Sequence, residues 1–150
     1  MNEDTANRLQ LELHVPDHNV ALDFYGKLGF KKVWHRNEGN AGDYLVMEKG
    51  GTVLNFWPGN DTVWEQSYFK RFPRDTKRGY GVEIVIPVDD IETCHEEAKQ
   101  FANIVDELKL RPWGVKDFRI EDPFGFYLRL TERHNILDPK YAVPDGIKEG

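Results

Sequence analysis

The sequence predicts an α+β protein built from two tandem copies of a βαβββ module. Two observations carry this. Short runs alternate apolar and polar residues at period two, and in each set a helical run follows the first strand. The same order of elements then recurs about 71 residues later, which lays "VP" over "IP", Val20 over Ile91 and Phe30 over Phe101. The copies cover about 9–58 and 81–131, with a linker helix over about 61–78 and a tail over 132–150.

Each element has a local reason. Leu9, Leu11, Leu13 and Val15 alternate with Gln10, Glu12 and His14, the pattern of a half-buried strand. "PDHN" breaks it, and Asn19 is placed to cap a helix over about 20–28 with Val20, Phe24 and Leu28 inward and Gly29 as its stop. "FKKVWHR", "DYLVMEKG" and "TVLNFWPG" read as three strands separated by "NEGNAG" and "GG". In the last of them Val53, Asn55 and Trp57 share one face, and Leu54 and Phe56 point into the core.

The second copy opens with Val82, Ile84 and Ile86 alternating with Glu83 and Val85. Asp89 with Glu92 three residues on predicts a capping box for the helix "IETCHEEAKQFA". "IVDELKLRP", "GVKDFRIED" and "FYLRLTE" complete the set. "DPFG" before the last strand is a tight turn, with Asp first, Pro at its preset φ and Gly last. Beyond it Phe126, Leu128 and Leu130 take one face, and Tyr127, Arg129 and Thr131 the other. In the linker, Trp64, Tyr68, Phe69 and Phe72 recur at near-helical spacing and predict a helix packed on the sheet.

The 150 residues suffice for one domain with a core, and 39% hydrophobic against 31% charged residues is a globular balance. No apolar run reaches membrane-spanning length, and "MNEDTANR" has no apolar segment of a signal peptide. With a single Cys94, no internal disulfide framework is available, which points to a reducing, cytoplasmic compartment. A net charge of -6 speaks against nonspecific nucleic-acid binding and favours cationic ligands. The aromatic fraction of 13% allows binding walls as well as core. There is no phosphate loop, serine elbow or paired-cysteine zinc motif. Cys94 reads as a small core residue, and His18, His35, His95, His134 and the run Arg71, Arg74, Lys77, Arg78 read as solvated.

Paired βαβββ modules, an "FYGKLGF" helix end, a "VDD" helix start and the "DPFG" turn resemble the vicinal oxygen chelate superfamily of glyoxalases, bleomycin-resistance proteins and dioxygenases. The resemblance covers about 9–132. It implies that each module curls into a half-cup, that two modules frame a cleft as one cup-shaped mixed sheet, and that the protein is a homodimer. In the metalloenzymes of the superfamily a divalent ion sits on four strands. Here those positions fall at Gln10 (Glu12 if the register shifts), Asn55, Glu83 and Arg129. A guanidinium stays protonated and has no lone pair to give, and an amide is a feeble ligand. Arg129 and Glu83 are expected to pair across the cleft floor instead. No metal and no cofactor follow.

Within the superfamily the sequence is most similar to bleomycin-resistance proteins, through "FYGKLGF", "GDYLVMEKGGTVLNFW" and "RPWGVKDFRIEDPFGFYLRLTE". The resemblance implies antibiotic resistance by sequestering a planar or cationic, glycopeptide-like compound in an aromatic cleft, with binding in place of chemistry and no catalytic residue. The ligand-binding set is Trp113, Tyr44, Trp57, Asn55, Glu83, Arg129, Glu12 and His14. Trp113, between Pro112 and Gly114, reads either as a stacking platform or as a rim or dimer contact; Trp57 reads as wall or as core. His14 is a general base only if a partner positions it, and Glu12 and Glu83 are the candidates. Two alternatives remain: a metal-dependent lyase or oxygenase using Glu83 with Gln10, Glu12 or His14, and a regulatory domain whose linker and tail make the contacts.

Overall fold

The computed structural model describes residues 9–38, 42–59 and 61–141, and the chain divides into two compact units between Thr76 and Lys77. In the first unit, β1 (Leu11–Val15), α1 (His18–Lys27), β2 (Lys31–Arg36), β3 (Tyr44–Lys49) and β4 (Thr52–Pro58) give a sheet of order β1-β4-β3-β2. β1 runs parallel to β4 and the other pairs are antiparallel. The second unit repeats this with β5 (Glu83–Val88), β6 (Asn103–Leu110), β7 (Lys116–Glu121) and β8 (Tyr127–Glu132) in the order β5-β8-β7-β6, β5 parallel to β8. The α+β class and the two βαβββ modules are as the sequence predicts. Part of the "NEGNAG" turn, 39–41, and the tail beyond Tyr141 lie outside the described residues.

One face of each sheet packs on its own helix. Leu13, Val15, Leu45, Met47, Leu54 and Phe56 are buried with Ala21, Phe24 and Tyr25 of α1, and the Tyr25 and Phe56 rings lie 5.2 Å apart. In the second unit Ile86, Val88, Phe118, Ile120, Leu128 and Leu130 are buried with Ile91 and Ala98 of the helix Ile91–Ala98. The "DPFG" turn forms as predicted. Gly125 donates to the Asp122 carbonyl at 3.1 Å with φ +100°, and the Asp122 carboxylate accepts from the amides of Phe124 and Phe126 at 2.9 and 2.8 Å.

Helix starts differ from the sequence reading. α1 begins at His18, not near Val20, because the Asp17 carboxylate reaches the amides of Asn19 and Val20 at 2.9 and 3.2 Å. The buried stripe is therefore Ala21, Phe24, Tyr25 and Leu28, and Val20 is exposed. The second module's helix is capped by Asp90, which accepts from the Thr93 amide at 3.1 Å and its hydroxyl at 2.8 Å. Asp89 instead holds Arg133, and Glu92 holds Lys116 at 2.8 Å, so the expected capping box does not form. The caps Asp17 and Asp90 set the internal repeat at 73 residues. That spacing also aligns the helix ends, where Leu28 donates to Tyr25 and Phe101 to Ala98.

The linker is not one helix. A five-residue α2 (Asp61–Glu65) is followed by a 3₁₀ turn at Phe69–Arg71. Phe72 is then extended, at φ -105° and ψ 149°, the conformation that the following Pro73 requires of it. Tyr68 and Phe72 remain exposed, with the Arg71 guanidinium over both rings at 4.5 and 5.1 Å. Asp17→Ala is expected to cost about 1 kcal/mol, since two α1 amides lose their acceptor. Urea unfolding of the full chain measures this, with the slope unchanged.

Candidate functional site

The face of each sheet turned away from its helix carries the polar chemistry. In the first unit, strand pairing sets Glu12 opposite Asn55 and His14 opposite Trp57 on β1 and β4. It sets Val46 opposite Asn55 on β3, and Trp34 and Arg36 opposite Val46 and Tyr44 on β2. Gln10 joins this face from just before β1, where its Oε1 accepts from Asn55 Nδ2 at 2.9 Å.

Glu12 is the hub of the group. The Tyr44 hydroxyl donates to its Oε1 at 2.6 Å, and His14 Nε2 lies 3.0 Å from its Oε2. The His14 ring stands edge-on to Trp57 at 5.2 Å and to Phe69 at 5.3 Å. Trp34 tilts against Tyr44 at 6.2 Å, and Arg36 lies over the Trp34 ring at 5.7 Å. Burial, with the Glu12 hydrogen bond and charge beside it, pushes the Tyr44 phenol up to about 12. The arrangement offers flat aromatic surface, the Glu12 carboxylate and a hydrogen-bonded amide pair.

The second unit's open face is ionic. Pairing brings Glu83 and Val85 of β5 beside Tyr127 and Arg129 of β8, Arg119 of β7 opposite Arg129, and Asp106 of β6 opposite Arg119. Arg119 Nε donates to Glu83 Oε1 at 2.7 Å and Nη1 to Asp106 Oδ2 at 3.2 Å. Arg111 Nε donates to Asp117 Oδ1 at 2.5 Å and Nη2 to Asp106 Oδ2 at 2.8 Å. Arg129 lies 3.8 Å from Glu83 Oε1 through Nε and 3.9 Å from Asp117 Oδ2 through Nη1. Burial works to raise Asp106, but the hydrogen bonds and charges of Arg111 and Lys109 outweigh it and hold the carboxyl below its usual value.

The structure therefore gathers Glu12, His14, Tyr44, Asn55 and Trp57 on one sheet face, and Glu83 and Arg129 on the other sheet's. Trp57 is half-buried on the polar face, not in the helix-facing core. Trp113 is half-buried in the β6–β7 turn, where Gly114 donates to the Arg111 carbonyl at 2.9 Å. Glu83 and Arg129 lie on neighbouring strands, and the hydrogen bond to Glu83 comes from Arg119. His18, His35, His95 and His134 are all partly buried, not solvated. His95 lies 2.8 Å from Glu107 and edge-on to Phe118, and burial lowers His18 below the ordinary imidazole value. Sequence reasoning missed Trp34, Asp106, Arg111, Asp117 and Arg119. The signal for Asp117 and Arg119 was their alternation with Phe118 and Ile120.

Of the positions that the resemblance implies for a metal ion, Asn55 donates to Gln10, Glu83 accepts from Arg119, and Arg129 has no lone pair to give. Among the described residues no group of three or more His, Cys, Asp or Glu is arranged to hold a metal.

A paired βαβββ architecture with these two sheet faces defines the class. The Glyoxalase/Bleomycin resistance protein/Dioxygenase superfamily model matches residues 8–130, and the chain belongs to that superfamily. It is similar to a superfamily member from Sphaerobacter thermophilus, with 21% identity over 85% of this chain and 99% of that one, and a TM-score of 0.62. It is similar to the bleomycin resistance determinant encoded on transposon Tn5, with 21% identity over 86% and 99% and a TM-score of 0.57. A bleomycin-binding protein complexed with bleomycin shares 20% identity over 85% and 99%, with a TM-score of 0.53. At these identities the likeness is one of fold. No protein of curated function matches the chain.

Tyr44 is expected to ionise near pH 12, and an ultraviolet absorbance titration of Tyr44→Phe to lack that step. The fold favours the neutral phenol, so stability tied to Tyr44 is full below pH 10 and lost as the pH rises through about 12. Asp117→Asn leaves the Arg111 guanidinium, 1% exposed, without its closest carboxylate. The expected loss is about 3–5 kcal/mol in urea unfolding.

Proposed function

We propose that the chain is a metal-independent small-molecule binding protein of the bleomycin-resistance type. It sequesters a planar or cationic, glycopeptide-like compound and does not modify it. The observation that carries this reading is the first sheet's open face, where Trp34, Tyr44 and Trp57 share a face with the Glu12 carboxylate, which Tyr44 contacts directly. A flat ring stacked on one of these side chains gains about 0.5–1.5 kcal/mol beyond burial. A ligand cation over the same rings gains about 0.5–2 kcal/mol, and Glu12 adds its charge. The amide pair Gln10–Asn55 offers its remaining donor and acceptor sites.

Metal independence is supported by the guanidinium of Arg129 at a position where metalloenzymes of the superfamily hold an ion, and by the commitment of Glu83 to Arg119. Trp113 is a further stacking surface, from the second module. The likeness in fold to a bleomycin-binding protein complexed with bleomycin, and to the Tn5 bleomycin resistance determinant, supports the reading. As the reading has it, the protein works in the cytoplasm as a homodimer and confers resistance by holding the drug.

The test is a tryptophan-fluorescence titration with bleomycin on protein stripped of divalent ions with EDTA. Saturable quenching well below millimolar is expected, weakened about ten-fold by Trp57→Leu or Glu12→Gln. No quenching up to millimolar drug removes the drug-binding reading. Binding that EDTA abolishes and a divalent ion restores replaces it with the metal-dependent lyase or oxygenase.

A further inference from the structure

The geometry points to a second binding subsite, an anion site on the open face of the second sheet, with the Arg129 guanidinium receiving a carboxylate or phosphate. It goes beyond the aromatic face and does not depend on it, since every residue involved belongs to the second unit.

On this face three arginines and three carboxylates form one cluster, with Glu121 beside it and paired to Lys77 at 3.4 Å, but the donors are unevenly spent. Arg111 and Arg119 hold Asp106, Asp117 and Glu83 at hydrogen-bonding distances. Arg129 makes no hydrogen bond to any of the three. Its nearest carboxylate oxygens lie at 3.8 and 3.9 Å, beyond a hydrogen bond, and its Nε is buried without an acceptor. Its side chain keeps 20% of its surface open. Asp117 Oδ2 is buried without a donor as well, but Asp117 is pinned through its other oxygen by Arg111.

The first module shows what a closed version looks like. The 73-residue repeat places Gln10 over Glu83, and the pairings Glu12–Asn55 and Val85–Arg129 place Asn55 over Arg129. Asn55 and Gln10 close at 2.9 Å, whereas Arg129 and Glu83 stay open because Arg119 has taken Glu83.

Charge counting agrees. Lys109 joins the cluster through Asp106 at 3.4 Å, so four cations, Arg111, Arg119, Arg129 and Lys109, face three carboxylates. One positive charge is in surplus, and the arginine with unspent donors is Arg129. A guanidinium fork matches a carboxylate or phosphate, and such charge-assisted bonds are the strong ones. A hollow of about 300 Å³ on the same unit is lined by Lys77, Tyr80, Val82, Glu83, Glu121 and Tyr127.

The test uses the full chain and three probes of similar shape: benzoate, phenyl phosphate and benzylammonium. The readout is the NMR resonance of the Arg129 Nε–H, assigned by its loss in Arg129→Gln. A saturable shift with benzoate, with phenyl phosphate or with both is expected, and which anion saturates tells carboxylate from phosphate. Benzylammonium is expected to leave the resonance unmoved. Arg129→Gln, followed by isothermal calorimetry, is expected to weaken the anion at least about ten-fold. No saturable shift with either anion at millimolar concentration overturns the proposal. So does equal anion affinity in the variant, or a cation that moves the resonance as far as the anions do. If the variant does not fold, the wild-type titration decides alone.

Discussion

Arg119 and Arg129 face each other directly across β7 and β8. Two like charges in that relation repel, and neither guanidinium can shed its proton. The second sheet can hold this pair only because carboxylates come to them from three strands. Glu83 on β5 reaches past β8 to Arg119, Asp106 approaches from β6, and Asp117 lies two residues along β7 itself. Arg111, at the end of the β6–β7 hairpin, then ties Asp106 to Asp117. The net value of such a network is modest once desolvation is counted, but each partner becomes hard to remove alone. Register is what it secures, because a one-residue slip of β7 would send Asp117 and Arg119 into the apolar core beside the helix.

The first module carries the same backbone with different chemistry. Its strands pair in the same order, its helix is capped by the equivalent aspartate, and its last strand is likewise parallel to its first. Where the second module sets ions, the first sets amides and rings. Asn55 and Gln10 are neutral, and the Glu12 carboxylate is shared between a phenol and an imidazole. Neutral groups of this kind cost less to bury, which lets Trp57 and Tyr44 sit against them half-covered. One fold thus presents a face suited to organic rings and another suited to charge, and among the described residues no group of three or more His, Cys, Asp or Glu is arranged to hold a metal.

How far the sequence could be read follows from the range of the forces involved. Alternation along a strand is local, and it correctly put Leu54 and Phe56 inward with Asn55 and Trp57 outward, and Phe126, Leu128 and Leu130 on the core face. Turn chemistry is local too, and Asp122 to Gly125 behave as their residue types demand. Competition between neighbours is less legible. Asp17 and Asn19 can both cap a helix, as can Asp89 and Asp90, and the winner is decided by which side chain reaches the second and third amides and which is drawn off by a distant group such as Arg133. The linker reads as a helix from its aromatics, yet Pro73 acts one residue upstream and ends it.

Composition, periodicity and the repeat of βαβββ were sufficient for the fold class, the two modules and the outward faces of β1, β4, β5 and β8, because each of these is set within a few residues of chain. Which outward residues touch was not available at that level. Tyr44 meets Glu12 across thirty-two positions, and Arg119 meets Glu83 across thirty-six. Strand order and register make those meetings, and they are properties of the assembled sheet. The same assembly gave Glu83 two arginines: Arg119, one strand further in, takes the hydrogen bond at 2.7 Å, while Arg129, the expected partner, stays in ion-pair range at 3.8 Å.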